Sequence, residues 1–235
     1  MGSRFKDIRA ESIRILRVLS YYYSFRDLEE ILGVHFQNLW KYVNLHSMPE
    51  KDTAERILSK VRELKLVDRI LDEELSKAGR ELHVLAREPG FLELFTLKFL
   101  DFMEREGVDK LDSVIALSCD AMSLATVIAL NVRAPTCYLM ERGRLERGGL
   151  IAAQYKSRKY LELKLLAVPK SCLGGGDAIA LVDIELDDID SIIALSDVVR
   201  KGRDVAILAA FISIAKGYLE ELASSKIKVL ALRVV

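Results

Sequence analysis

The apolar residues of this chain change their period near position 90, and that change constrains the fold more than any other feature. From Ser12 to about Ala86 they recur at helical spacing: Leu16, Leu19 and Tyr23, then Leu28, Ile31 and Leu32, then Leu39, Tyr42 and Val43, then Ala54, Ile57, Leu58, Val61 and Leu64. Val67, Ile70, Leu71 and Leu75 prolong the stripe, either as a connector or as a seam for pairing two subunits. Gly79 and Pro89-Gly90 punctuate the segment and mark a boundary. Beyond Phe91, short apolar runs alternate with helical stretches. Ser113 to Leu117, Thr136 to Met140, Leu161 to Val168, Ala178 to Val182, Val205 to Phe211 and Lys228 to Val234 read as strands. Helices are expected over Phe91 to Glu106, through Leu124, Val127 and Ile128, near Ser191 to Arg200 and over Ile214 to Ala223. Strands alternating with helices in this way predict a mostly parallel sheet covered on both faces. The expected fold class is α/β, with an all-α domain over 1–66, a helical connector over 67–90 and an α/β domain over 91–235.

Several classes of function are disfavoured at once. The longest apolar stretches, such as Val205 to Ile214, fall short of the roughly 20 residues a bilayer crossing needs, and the start lacks a signal-peptide core, so a cytoplasmic protein without a membrane partner is expected. Cys119, Cys137 and Cys172 are odd in number and lack metal-ligand spacing; they are read as small core residues, with no disulfide framework, no metal and no cofactor. Asn and Gln are scarce while Lys, Arg and Glu abound, a bias reported for proteins from hot environments. The formal net charge is zero, which argues against coating nucleic acid by bulk charge. Residues 1–66 carry 12 of the 35 Lys and Arg and 9 of the 35 Asp and Glu, a slight basic excess, so any contact with DNA must come from local placement.

The stretch from Phe25 to Asn44 fits a helix-turn-helix pattern. Leu28 and Leu32 face the core from the first helix, Gly33 supplies a left-handed turn, and Val34, Leu39 and Tyr42 bury the second helix. Glu29 stands where a small residue is usual, and His35 where Ser or Thr is the common cap. The exposed side of the second helix directs His35, Phe36, Gln37, Trp40, Lys41 and Asn44 toward a duplex groove. Gln37 and Asn44 suit adenine edges, and Lys41 suits guanine or phosphate. Trp40 and Phe36 admit packing against the connector helix as an equal alternative, and His35 a plain turn role. Arg26 and Lys51 are candidate phosphate contacts, against the default of solvated surface cations.

Four segments beyond Phe91 carry a resemblance to a known family: Asp112 to Leu117 with the helix Met122 to Leu130; Ala134-Pro-Thr-Cys-Tyr138; a long basic loop, Arg142 to Lys159; and Ala178-Ile-Ala-Leu-Val-Asp183 ahead of a helix. Together they resemble a type I phosphoribosyltransferase domain. Its fusion to a helix-turn-helix resembles archaeal phosphoribosyltransferase-like regulators and bacterial purine-operon repressors. The resemblance implies a homodimer and a sugar-phosphate site after the strand that ends near Asp183. Active members carry two acidic residues and then a Thr- and Gly-rich phosphate cradle there. This chain has Asp183-Ile-Glu-Leu-Asp-Asp-Ile-Asp-Ser191, in which Asp183 and Ser191 alone stay in register, and Ser118-Cys-Asp-Ala121 replaces a glycine-containing turn.

Asp183, Glu185, Asp187, Asp188, Asp190 and Ser191 thus make up a degenerate pocket. Like-charge repulsion is expected to replace the phosphate cradle. The three later carboxylates read first as helix N-terminal caps and second as a ligand site preferring a cation. Arg142, Arg144, Arg147, Lys156, Arg158 and Lys159, with Gly143, Gly148 and Gly149, correspond to the family's mobile lid, to a dimer or phosphate-backbone contact, or to a solvated loop. The resulting expectation is a regulator that binds double-stranded DNA as a homodimer. Its second domain is expected to be a catalytically inactive scaffold or sensor of a small-molecule effector, the chain not being an enzyme. The alternative is a divergent phosphoribosyltransferase of the orotate type, or a small-molecule sensor of nucleotide metabolism.

Overall fold

In the computed structural model the described residues are 7–140, 149–173, 175–201 and 203–235. The chain divides into two compact units: the described residues up to Gly79 with Glu88–Leu97, and Arg80–Arg87 with the described residues from Lys98 onward. The fold is α/β, with N-terminal helices and a C-terminal parallel sheet.

The first unit holds α1 (Ile8–Leu19), α2 (Phe25–Leu32), α3 (Phe36–Val43), α4 (Lys51–Glu63) and α5 (Leu66–Ala78). Its core is the apolar stripe of each helix: Leu16, Leu19, Leu28, Leu32, Leu39 and Ile57 are fully buried. Local chemistry sets the breaks. Ser24 and Asp27 form a reciprocal capping box at the start of α2. Gly33 ends α2 at φ 66°, a left-handed conformation that glycine adopts without strain. His35 caps α3 by accepting the Gln37 N–H at Nδ1 over 3.3 Å, doing the work expected of Ser or Thr. The stripe beyond Leu64 is not one continuous helix, because Lys65 at φ 48° separates α4 from α5.

A short α6 (Leu82–Leu85) precedes α7 (Pro89–Arg105), where Pro89 begins the helix, the position at which its missing N–H costs nothing. There follow β1 (Ser113–Ala116), α8 (Met122–Val132), β2 (Thr136–Tyr138), β3 (Leu150–Lys156), β4 (Leu163–Pro169), a 3₁₀ turn (Lys170–Leu173), β5 (Ala178–Glu185), α9 (Ile189–Arg200), β6 (Ala206–Ile214), α10 (Lys216–Ser224) and β7 (Ile227–Val234). Five strands pair in the order β2-β1-β5-β6-β7, all parallel. β5 and β6 are buried along nearly their whole length, as strands covered on both faces must be. Ile179, Leu181, Ile192, Leu195, Ile207, Phe211 and Leu222 form the heart of that core.

Two expectations need correction. Within the expected basic loop, Leu150–Lys156 is a strand, paired antiparallel with β4 from Leu150↔Pro169 to Lys156↔Leu163. Its outward residues are polar or small, so the flanking Arg and Lys masked the alternation. Cys137 and Cys172 are joined in a disulfide rather than being independent core residues, because the parallel pairing of β2 and the turn after β4 bring their Cα atoms within 6.0 Å. Cys119 is exposed and free. Arg142, Gly143, Arg144, Arg147 and Gly148 lie outside the described residues. No helix among the described residues is long and apolar enough to cross a membrane.

Candidate functional site

The strand order reverses at β1. From there the chain crosses through α8 to β2 on one side, and later returns through β5, α9 and β6 on the other. In open parallel sheets the crevice outside the carboxyl ends of the strands at such a point is where ligands dock. Here a cavity of about 520 Å³ occupies it. Leu117, Ser118, Asp183, Leu186, Asp187, Asp188 and Ser191 line it from the sheet and α9 side. Tyr155, Tyr160, Glu162 and Leu163 to Leu166 line it from the β3–β4 hairpin.

Asp183 sits inside β5 and is buried. Its Oδ1 accepts the Ser118 hydroxyl at 2.6 Å, a bond that spans the β1/β5 junction, and also the Ile184 N–H at 2.9 Å. Burial pushes its pKa up to about 6, the two hydrogen bonds oppose the shift, and the charges of Asp120 and Asp187 add to it. A carboxyl that exchanges its proton near neutrality and lies in a cleft is suited to acid–base work or to holding a hydroxyl.

The neighbouring carboxylates are all engaged. Asp188 caps α9, its Oδ1 accepting the Asp190 N–H at 3.3 Å, while its Oδ2 accepts the Tyr155 hydroxyl at 3.3 Å and lies 3.8 Å from the Lys164 ammonium. Ser191 donates its hydroxyl to the Asp188 carbonyl at 2.6 Å. Asp187 accepts hydrogen bonds from the Lys159 ammonium and the Tyr160 hydroxyl. Burial works to raise the Asp187 carboxyl, but these bonds and the Lys159 and Lys164 charges outweigh it and hold the pKa below the usual value. Asp190 pairs with the Arg158 guanidinium and backbone N–H, each at 2.7 Å, and Arg158 reaches on to Glu221 at 2.5 Å.

Of the six residues expected in this pocket, Asp183, Asp187, Asp188 and Ser191 line the cavity; Asp190 stands beside it and Glu185 points to solvent. The expected repulsion is relieved in part: Lys159, Lys164 and Arg158 pair with Asp187, Asp188 and Asp190, while the charges of Asp120 and Asp187 still raise Asp183. Tyr155, Tyr160 and Lys164 were not singled out from sequence. The alternation of β3 was the available signal, and the basic flanks concealed it. Among the described residues no group of three or more His, Cys, Asp and Glu is placed to hold a metal ion.

In the first unit His35, Gln37, Trp40, Lys41, Asn44, Arg26 and Lys51 are exposed and Phe36 is half-buried. Trp40 stacks on His46 at 5.1 Å and keeps 46% of its surface open. Asn44 donates its amide to the Trp40 carbonyl, and Lys51 pairs with Glu55 at 3.8 Å.

No protein-family model matches the sequence, and no curated protein resembles it at the level of sequence. Solved structures do resemble the fold. The Giardia lamblia adenine phosphoribosyltransferase complexed with 9-deazaadenine superposes with a TM-score of 0.53 at 14% identity, over 64% of this chain and 83% of that one. The Saccharomyces cerevisiae adenine phosphoribosyltransferase gives 0.51 at 19% identity, over 62% and 81%. The enzyme from Thermoanaerobacter pseudethanolicus gives 0.52 at 14%, over 64% and 84%. The fold is that of a type I phosphoribosyltransferase. The expectation that the chain is not an enzyme is corrected by this likeness: the solved structures that share the fold are adenine phosphoribosyltransferases, which are enzymes.

Proposed function

We propose that the C-terminal unit is a divergent phosphoribosyltransferase, taking a ribosyl substrate of nucleotide metabolism in the switch-point cavity. The observation that carries this reading is the Ser118–Asp183 hydrogen bond across the β1/β5 junction, with a carboxyl whose pKa is about 6 opening into that cavity. Asp183 would hold a ribose hydroxyl and accept or return its proton as charge develops on the ring. Tyr155, Tyr160 and the Leu163–Leu166 wall would cover the less polar part of the ligand. Calorimetry and product analysis test this with phosphoribosyl pyrophosphate and magnesium, adenine or orotate, and the corresponding nucleoside monophosphates. Binding that disappears in Asp183→Asn, with nucleotide formed from one of the bases, is the expected result. Silence toward every one of these compounds would reject the reading.

A second reading concerns the helical unit, and the specific observation favouring it is the left-handed Gly33 between two eight-residue helices, with Gln37, Trp40 and Lys41 exposed on α3. Such a pair suits a helix-turn-helix in which α3 enters the major groove, and a homodimer would supply two half-sites on double-stranded DNA. The full chain would then be a regulator whose effector is the ligand of the second unit. A gel-shift series over salt concentration tests it: Gln37→Ala with Lys41→Ala is expected to weaken binding and flatten the salt dependence. Unchanged affinity in that double variant would remove α3 as the recognition helix.

A further inference from the structure

The β3–β4 ladder leaves one edge of the hairpin open. The Ser157 N–H donates to the Glu162 carbonyl at 2.9 Å and the Lys170 N–H to the Gly149 carbonyl at 3.1 Å, which fixes the phase of the pairing. Odd-numbered residues of β3 therefore exchange hydrogen bonds with β4, and the N–H and C=O groups of Ala152, Gln154 and Lys156 point the opposite way. These backbone groups have no partner among the described residues, and all three residues are exposed. Proteins usually blunt such an edge with proline, a bulge or charge. β4 ends in Pro169, and β7, at the end of the parallel sheet, carries Lys228 and Arg233. β3 contains no proline, its register runs from Leu150↔Pro169 to Lys156↔Leu163 without a bulge, and its one charge stands at its end.

Beside that edge runs a groove of about 470 Å³, walled by β3 from Ala152 to Lys156 and floored by one flank of α9. Ile193, Ala194 and Val198 are half-buried in the floor, and the small side chains of Ala153 and Ala194 leave the groove its depth. Asp190 and Asp197 also line it, two helical turns and about 10 Å apart. Asp190 is paired with Arg158, whereas Asp197 is exposed and has no partner among the described residues. The groove shares only Tyr155 with the switch-point cavity and is a separate site.

We infer that the open edge of β3 and the flank of α9 form a docking groove for an extended peptide segment of another protein, one carrying an apolar residue with a basic residue two positions along. The segment adds a strand beside β3. Main-chain hydrogen bonds to Ala152, Gln154 and Lys156 supply affinity that does not depend on sequence, and alternate side chains supply selectivity. Side chains two positions apart lie on the same face of a strand, about 7 Å from one another. An apolar one seated on Ala153 and Ala194 therefore directs the next toward Asp197, where Lys or Arg meets an unpaired carboxylate. A second copy of this chain fits less well: pairing β3 with β3 about a two-fold axis brings the same α9 flank, with the same carboxylates, against this one.

The octapeptide acetyl-Thr-Val-Thr-Lys-Thr-Val-Thr-Lys-amide, titrated into the isotope-labelled full chain, tests this by nuclear magnetic resonance. It is expected to shift the amide signals of Ala152, Gln154 and Lys156 and to leave those of β6 in place. Of two peptides N-methylated on alternate amides, one should lose binding, because the donors of one peptide edge face β3. Gln154→Pro removes an outward N–H while leaving every β3–β4 hydrogen bond intact, and is expected to weaken binding roughly tenfold. Asp197→Lys, on the exposed side of α9, should weaken it roughly fivefold and favour the peptide with Glu in place of Lys. Binding that survives both substitutions, or β3 amides that stay in place at millimolar peptide, overturns the inference. A wild-type dimer that Gln154→Pro converts to a monomer would assign the edge to a second copy and overturn it equally. None of these readouts depends on whether Asp183 binds a ribosyl ligand.

Discussion

At Asp183 the proposed function and the stability of the fold make opposite demands on one carboxyl. Its carboxyl ionises at about 6 when folded, against 3.8 for an unperturbed side chain, chiefly because burial disfavours the charge. Between those values the folded protein binds more protons than the unfolded chain, so stability falls as pH rises through that window and the full cost stands above it. Two pKa units correspond to about 3 kcal/mol. Asn in place of Asp keeps an oxygen at Oδ1 for both Ser118 and Ile184 while removing the charge. Asp183→Asn is therefore expected to raise the urea midpoint at pH 8, by up to about 3 kcal/mol in unfolding free energy, with little difference left near pH 4. Denaturation at the two pH values checks this, and an Asn variant no more stable at pH 8 would place the ionised carboxylate in a well-solvated setting. Under the proposed function the same substitution is expected to abolish ligand binding, a trade between stability and activity.

At the scale of elements, legibility followed the strength of each local signal. The central strands were readable because a strand buried on both faces is a near-continuous apolar run, as in Ala178 to Val182 and Val205 to Phe211. The α2–Gly33–α3 turn was readable because left-handed backbone selects glycine. β3 was hidden: it forms a two-stranded hairpin with one wet face, and Ala152, Gln154 and Lys156 on that face look like loop residues. The cavity wall contributed by Tyr155, Tyr160 and Lys164 was lost with it. The disulfide was likewise invisible, since pairing Cys137 with Cys172 depends on which strand lies beside which. The turn also gives a clean test of backbone energetics. An added methyl at Gly33 meets no atom within 4 Å, so any penalty is conformational. Gly33→Ala is expected to destabilise the helical unit by about 1 to 2 kcal/mol, and Gly33→Asn by clearly less, as measured by chemical denaturation. Equal losses for the two would mean that φ is not the constraint.

For the whole molecule, the division into two units implies that a perturbation confined to one should be readable in that one alone. The disulfide supplies such a perturbation, because the three cysteines all lie beyond residue 98 and α1 to α5 contain none. It closes a loop between residues 35 apart that contains the hairpin wall of the cavity. A closed loop of that length restricts the unfolded chain by an amount worth about 4 kcal/mol in the chain-entropy description. Reduction with dithiothreitol, in a Cys119→Ser background that prevents exchange with the free thiol, is expected to lower the stability of the sheet unit by about 3 to 4 kcal/mol. Hydrogen exchange resolves the two units in one experiment: amides of β5 and β6 should lose protection, while those of α1 and α4 keep theirs. The hairpin should respond first, since reduction removes the covalent tie at its base and leaves there only the Met140↔Ala167 bridge and the Lys170 N–H to Gly149 carbonyl bond. Loss of protection spread evenly through the helices and the sheet would show instead that the two units unfold as one cooperative body.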